Sequence, residues 1–193
     1  MYHNKCIVIG DSNVGKSSLI TTYATNKFPK TIKQKLTPSW DYVKYIKYKN
    51  KSLFLEIWDT WDDDDYKNFR PLMYPMTDVF LICFSVTDKK SFYNVKKKWR
   101  KELRSEYSKV PIILVGTKID LRDENASTYD NNQQFIKSSK GLKMAKKIGA
   151  VNYFECTSLR NLGLKEIFDE VAKLILCRRS NEKKTKKHKC SLM

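Results

Sequence analysis

Residues 10–17 read GDSNVGKS, a glycine-rich loop that ends in a lysine and a serine. The loop follows an apolar run at residues 3–9 and precedes a helical pattern at 16–25, which is the context that a phosphate-binding loop requires. Its glycines let backbone N–H groups surround a phosphate, Lys16 can reach β and γ oxygens, and the Ser17 hydroxyl can ligate Mg²⁺. The motif predicts a nucleotide site with Mg²⁺, against the alternative of an ordinary tight turn.

Apolar runs alternate with amphipathic segments along the rest of the chain. This pattern predicts an α/β fold with a six-stranded, mostly parallel sheet, one antiparallel edge strand and helices on both faces. The predicted strands cover residues 3–9, 42–48, 53–58, 79–85, 111–116 and 152–155. The predicted helices cover residues 16–25, 91–106, 139–148 and 164–176, with Gly149 as a left-handed cap. The short polar link at residues 49–51 predicts that the second and third strands form a hairpin at one edge.

The length of 193 residues fits one domain with a short tail. We assign residues 1–177 to that domain, with a surface insertion near 124–138 where the sequence is polar and long for a loop. Residues 178–193 carry seven Lys or Arg against one Glu, so we predict a disordered basic tail.

Charge and cysteine usage restrict the cellular context. The formal net charge is +17, from 38 Lys and Arg against 21 Asp and Glu, which favours an anionic partner such as nucleic acid or a membrane leaflet. No apolar stretch is long enough to span a bilayer, and the start of the chain does not resemble a secretory signal, so we expect peripheral membrane contact. The five cysteines form no CxxC pair and are predicted to be reduced, cytosolic thiols.

A second motif, TKID at residues 117–120, indicates which base is bound. It follows the fifth predicted strand, at the edge of the sheet where ligands of such folds bind. The Asp120 carboxylate can accept from both N1–H and the exocyclic amine of guanine, whereas adenine offers no such pair of donors. A solvated Lys–Asp pair in a loop is the alternative, but the placement after a phosphate loop favours guanine.

These motifs resemble the Ras superfamily, and most of all its Rho/Rac branch, over residues 3–177 and the tail. The supporting stretches are Phe28-Pro29, WDT at 58–60, RPL at 70–72, TDVFLICFSV at 77–86, VPIILVGTKIDLRD at 110–123 and ECT at 155–157. The resemblance implies a P-loop G domain that binds GTP or GDP with Mg²⁺ and acts as a monomeric signalling switch. It also implies exchange factors, a dissociation inhibitor and actin-regulating effectors as partners, and no nucleic acid.

The resemblance also implies a set of nucleotide-binding residues. Phe28 is expected to stack on the guanine, Lys118 to pack along the base, and the Ser158 backbone to approach the guanine carbonyl. Mg²⁺ is expected at Ser17, at Thr37 in the GTP state, and through water at Asp59. The full set is Ser12, Asn13, Val14, Gly15, Lys16, Ser17, Ser18, Phe28, Thr37, Asp59, Thr117, Lys118, Asp120, Thr157, Ser158 and Leu159.

The chain departs from the family pattern DTAGQ, because residues 59–65 read DTWDDDD. Asp62 replaces a glycine that meets the γ-phosphate, and Asp63 replaces the catalytic glutamine that orients the attacking water. Ser12 replaces a glycine that leaves room for that glutamine. A short, negatively charged side chain positions water poorly, so we predict slow hydrolysis, although Asp63 could instead act as a general base. The same residues are compatible with a non-hydrolysing binding module, a compensated cycling enzyme or a merely solvated acidic loop.

The chain ends in CSLM, a prenylation motif in which Cys190 is the lipidated residue and the terminal methionine favours farnesyl. One lipid binds membranes only marginally, so the basic tail is expected to supply the second signal. We therefore expect residence at the cytoplasmic face of the plasma membrane or endomembranes, with a cytosolic pool. Nuclear import or RNA binding is the competing interpretation of the tail lysines.

Overall fold

The computed structural model describes residues 4–30, 40–61, 64–104, 106–125 and 135–190, and its centre is one six-stranded sheet. The strands are β1 Lys5–Gly10, β2 Trp40–Tyr48, β3 Lys51–Asp59, β4 Val79–Ser85, β5 Ile112–Thr117 and β6 Asn152–Glu155. Their order across the sheet is β2-β3-β1-β4-β5-β6. Only β2 and β3 pair antiparallel, and the other neighbours are parallel. The predicted fold class and edge hairpin are confirmed.

The helices are α1 Lys16–Thr25, α2 Lys89–Asn94, α3 Arg100–Leu103, α4 Ile119–Asn125, α5 Ser138–Ile148 and α6 Leu164–Cys190. A π-helical segment, Val95–Trp99, joins α2 to α3, and short 3₁₀ turns cover Asp64–Tyr66 and Arg70–Met73. The helix predicted at 91–106 starts earlier because the Asp88 carboxylate caps it, accepting from the Lys90 N–H at 2.8 Å. Helix α4 was not predicted, since residues 120–125 begin the long polar stretch that was taken for a loop with a surface insertion near 124–138. Gly149 ends α5 at φ 71°, as expected.

Helix α6 continues well beyond its predicted end at residue 176. It reaches Cys190, through the segment that the sequence analysis assigned to a disordered tail. No glycine or proline interrupts residues 165–190, and Lys, Arg and Glu are good helix formers, so nothing in the sequence stops the helix. Of the predicted insertion near 124–138, residues 126–134 lie outside the described residues.

The sheet is covered on both faces. Alternate residues of β1 face opposite sides, with Cys6 and Val8 packed in the cluster that contains α1 and α6, and Ile7 and Ile9 in the cluster that contains α2, α3 and α5. Burial raises the pKa of the Cys83 thiol to about 12, so this free thiol stays protonated. Among the described residues, no helix combines the length and apolar character needed to cross a bilayer.

Candidate functional site

The glycine-rich loop connects the end of β1 at Gly10 to the start of α1 at Lys16. A Cβ at Gly10 would lie 2.4 Å from the carbonyl oxygen of Cys83 on β4, so only glycine fits. Gly15 and Asn13 adopt positive φ angles of 99° and 60°, which turn the backbone around the N-terminus of α1. This arrangement gives backbone donors and the positive end of a helix dipole for a phosphate.

The Lys16 side chain is held within this loop. It is only 5% exposed, and its ammonium donates to the carbonyl oxygens of Gly10 at 3.0 Å and Asp11 at 2.9 Å. A cation is therefore concentrated where a di- or triphosphate would bring negative charge. Ser12 and Asn13 lie exposed at the outer side of the loop, and Val14 is buried beneath it.

Two oxygen ligands suited to Mg²⁺ meet beside the loop. The Ser17 hydroxyl donates to the Asp59 carboxylate at 2.5 Å, because parallel pairing of β1 with β3 sets Val8 opposite Asp59. A hard, octahedral Mg²⁺ takes one or two protein oxygens together with phosphate oxygens and water, and this pair fits that demand. No cluster of three or more His, Cys, Asp or Glu in the described ranges could hold a metal by itself. Thr37 lies outside the described residues.

A pocket of about 260 Å³ opens next to the loop. It is lined by Gly15, Ser18, Phe28, Thr117, Lys118, Asp120, Leu121, Ser158 and Leu159. Phe28 and Leu159 are 44% and 57% exposed, which leaves apolar surface for the face of a planar base. Asp120 is only 6% exposed and supplies the one carboxylate of this lining. The pocket thus combines flat apolar walls with a paired hydrogen-bond acceptor, as a guanine requires.

The two motifs are tied to each other by hydrogen bonds. The Thr117 hydroxyl donates to the carbonyl oxygens of Val14 at 2.5 Å and Phe84 at 3.0 Å. The Lys118 ammonium donates to the carbonyl oxygen of Asn13 at 2.5 Å, and Lys118 has a positive φ of 61°. The base pocket and the phosphate loop are therefore positioned as one unit.

A model of the Ras family matches residues 5–177 of the chain. The chain belongs to the Ras family. Ras-family proteins are small GTPases that bind guanine nucleotide with Mg²⁺ and act with regulators and effectors, and the phosphate loop, the Ser17–Asp59 pair and the pocket containing Asp120 supply the matching chemistry. The resemblance of the sequence to the Ras superfamily is thereby confirmed.

In this Ras-family protein an ion pair that the sequence analysis missed fixes the base pocket. Arg122 on α4 makes two hydrogen bonds to the Glu155 carboxylate, at 2.9 and 2.6 Å, and the hydroxyls of Tyr153 and Ser138 also donate to it. Burial opposes ionisation of Glu155, but these hydrogen bonds outweigh it and hold the pKa of this carboxyl below its usual value. The clamp joins α4, which carries Asp120, to the end of β6, which leads to Ser158.

A second missed contact fixes the phosphate loop from the other side. The Asp11 carboxylate accepts from the Asn94 amide at 2.6 Å and from the Trp99 indole N–H at 2.7 Å. Asn94 ends α2 and Trp99 ends the π-helical segment, whose wider turn is a feature often found at functional sites. Nothing in the local sequence around Asp11 indicates this contact, because its partners lie more than 80 residues away.

Through Arg70, the Trp99 side chain is also connected to the segment that follows Asp59. Arg70 is fully buried, its guanidinium lies 4.7 Å from the Trp99 ring centroid, and it makes two hydrogen bonds to Glu102 at 2.9 and 3.0 Å. The same guanidinium donates to the Trp61 carbonyl oxygen at 2.8 Å. Trp61 stacks on Tyr66 and packs against the core, and it is not part of the lining of the base pocket.

Some predicted residues lie apart from this geometry. Thr157 is buried and pairs with Leu162 through backbone hydrogen bonds, next to the pocket lining. Asp62 and Asp63, to which the sequence analysis attached slow hydrolysis, lie outside the described residues. Leu121 was not predicted and lines the pocket, where its position directly after Asp120 is the signal that was overlooked.

Proposed function

We propose that this Ras-family protein is a Rho-type GTP-binding switch that hydrolyses GTP slowly and signals from a membrane to actin-regulating effectors. The observation that carries the proposal is the pair Asp62 and Asp63, which begins three residues after the Mg²⁺ residue Asp59. The Asp59 carboxylate lies 2.5 Å from the Ser17 hydroxyl. Thr60 is buried and bonded to the Val8 carbonyl oxygen at 2.8 Å, so the chain leaves the Mg²⁺ position in a fixed direction. Asp62 and Asp63 follow two and three residues after Thr60 in the sequence.

The expected effect on hydrolysis is electrostatic and steric. Like charges about 4 Å apart repel by roughly 4 kcal/mol at an effective dielectric constant of about 20, so a carboxylate beside the γ-phosphate opposes the transition state. Aspartate also lacks the amide that orients the attacking water. We therefore expect intrinsic hydrolysis below about 3 × 10⁻⁴ s⁻¹, the order of an ordinary Ras rate.

Single-turnover phosphate release from the GTP-loaded protein tests this part of the proposal. Asp62→Gly combined with Asp63→Gln is expected to raise the rate by about tenfold or more. Asp64→Asn combined with Asp65→Asn is the matched control, since it also removes two charges from the same acidic run, at positions to which the proposal assigns no role in hydrolysis. Equal rates in the wild type and the double variant would contradict the proposal.

The membrane part of the proposal rests on Cys190 and on the lysines that precede it in the sequence. Incorporation of an isoprenoid analogue in cells is expected for the wild type and not for Cys190→Ser. The same variant is expected to shift the protein from membranes to the cytosol. Labelling that persists in Cys190→Ser would refute the assigned site.

The Rho-type assignment, and with it the action on actin, is supported by the sequence stretches that resemble the Rho/Rac branch. Expression of the wild type is expected to change the actin filament pattern of cells, while Cys190→Ser is expected to be inactive. A non-hydrolysing module with unresponsive switches predicts instead that GTP- and GDP-loaded protein bind the same partners equally. The amount of each partner captured from cell extract by the GTP-loaded and by the GDP-loaded protein distinguishes a switch from such a module.

A further inference from the structure

The positive charge of the domain is concentrated in two segments. Residues 89–109 carry nine Lys or Arg and two Glu, and residues 137–148 carry five Lys and no acidic residue. The remaining residues of 1–177 carry seventeen basic and eighteen acidic side chains. These two segments therefore account for the entire positive excess of the domain, separately from the basic tail.

The two segments are neighbours in the fold. The Arg100 guanidinium on α3 donates to the Ile148 carbonyl oxygen at the end of α5, at 2.6 Å. Trp99 and Leu103 share one core cluster with Ala145 and Ile148. Their solvent-facing side chains form what we call the basic face, which comprises the exposed residues Lys90, Lys96, Lys97, Lys101, Arg104, Lys109, Lys137, Lys140, Lys143, Lys146 and Lys147.

Little acidic charge is available to neutralise the basic face from within, because Glu106 is the single exposed acidic residue among the described residues of the two segments. Glu102 is occupied by two hydrogen bonds from Arg70 and one from Tyr74, and its side chain is only 13% exposed. Tyr93 is 55% exposed, and the Lys97 ammonium lies 4.4 Å from its ring centroid. An exposed aromatic ring beside long basic side chains suits the boundary between lipid headgroups and water.

We propose that the basic face binds the surface of an anionic phospholipid bilayer, as a second contact besides the tail. Arg178 on α6 lies 3.9 Å from Asp78, directly before β4, and Val151 after α5 bonds to Ile112 at the start of β5. The end of α5 and the start of the basic tail therefore lie at one edge of the sheet. The nucleotide pocket lies at the opposite edge, so it stays open to solvent when this edge meets a bilayer.

This inference rests on the proposed membrane role, but its test does not use the lipid anchor. Unprenylated full-length protein loaded with GDP and Mg²⁺ is sedimented with phosphatidylcholine vesicles that contain about 30 mol% phosphatidylserine. The basic-face variant replaces four lysines by glutamine, namely Lys97, Lys101, Lys143 and Lys147. Its partition coefficient is expected to fall by about tenfold or more, and binding to pure phosphatidylcholine vesicles is expected to be negligible for both proteins.

A control variant removes the same charge from the other end of the domain. It replaces four exposed basic side chains by glutamine, namely Lys27, Lys30, Lys67 and Arg160, which lie near the nucleotide pocket in the fold. Its vesicle binding is expected to change by less than about threefold, because bilayer attraction falls off within a Debye length. GDP retention by both variants shows that they are folded.

Three outcomes would overturn the inference. The first is equal loss in the two variants, which would indicate a non-specific effect of net charge. The second is unchanged binding of the basic-face variant. The third is a basic-face variant that loses the wild-type binding to a single-stranded RNA, measured by fluorescence anisotropy, while its vesicle binding stays intact. That result would assign the basic face to RNA binding. Failure of isoprenoid labelling at Cys190 would instead refute the proposed anchor and leave the vesicle result standing.

Discussion

Replacing Trp99 by phenylalanine tests the contact between the phosphate loop and the π-helical segment. The change removes the 2.7 Å hydrogen bond from the indole N–H to the Asp11 carboxylate, and Trp99 is fully buried. A hydrogen bond to a charged group contributes about 1.5–3 kcal/mol. The smaller ring also loses buried apolar area worth roughly 1 kcal/mol, so the free energy of unfolding is expected to fall by about 2.5–4 kcal/mol.

Trp58→Phe is the matched control for this experiment. Trp58 packs against the same core cluster, but its buried indole nitrogen has no hydrogen-bond partner among the described residues. Phenylalanine there removes no hydrogen bond and is expected to change the free energy of unfolding by less than about 1 kcal/mol. Both variants are compared by urea denaturation at one fixed concentration of GDP and Mg²⁺. Equal effects of the two changes would refute the role assigned to the Asp11 contact.

Three further predictions concern the nucleotide site and its support. Asp120→Asn is expected to weaken GDP binding by about a hundredfold or more and to favour xanthosine diphosphate, because the amide can donate to the carbonyl that replaces the guanine amine; competition binding with both nucleotides measures this. The pKa of Glu155 is lowered in the folded state, so the ionised Glu155 side chain stabilises the fold fully above the unfolded pKa of 4.5, and this stabilisation is lost as the pH falls through the folded pKa. Urea denaturation from neutral to acidic pH is therefore expected to show a smaller loss of stability for Glu155→Gln than for the wild type. Ser17→Ala is expected to release labelled GDP quickly with or without EDTA, whereas chelation should accelerate release from the wild type by about tenfold or more.

The elements that the sequence predicted well are those with strong local signals. The strands β4 and β5 are buried throughout and β1 is buried after Lys5, so they appear as nearly continuous apolar runs. The phosphate loop and the TKID motif are fixed by residue type and spacing, and residues of both motifs line one pocket. Gly149 was recognised as a helix end because glycine readily adopts a left-handed conformation.

The features that the sequence did not predict depend on long-range contacts or on weak local signals. The Asp11–Trp99 and Arg122–Glu155 contacts join residues far apart in the chain, and no periodicity reports them. Helix α4 lies in a polar stretch, which resembles a loop in composition. The end of α6 was misplaced because charge was taken to indicate disorder, although lysine and glutamate also favour helices.

The protein is proposed to keep bound GTP for a long time, and the nucleotide content of the purified protein, followed over time, measures this property. The protein is loaded with GTP in the presence of Mg²⁺, and samples are analysed by ion-exchange chromatography. A Ras-like rate of about 4 × 10⁻⁴ s⁻¹ corresponds to a half-life of roughly 30 min. GTP that remains the main bound nucleotide after several such intervals is the expected result, and conversion to GDP within one interval would contradict the claim.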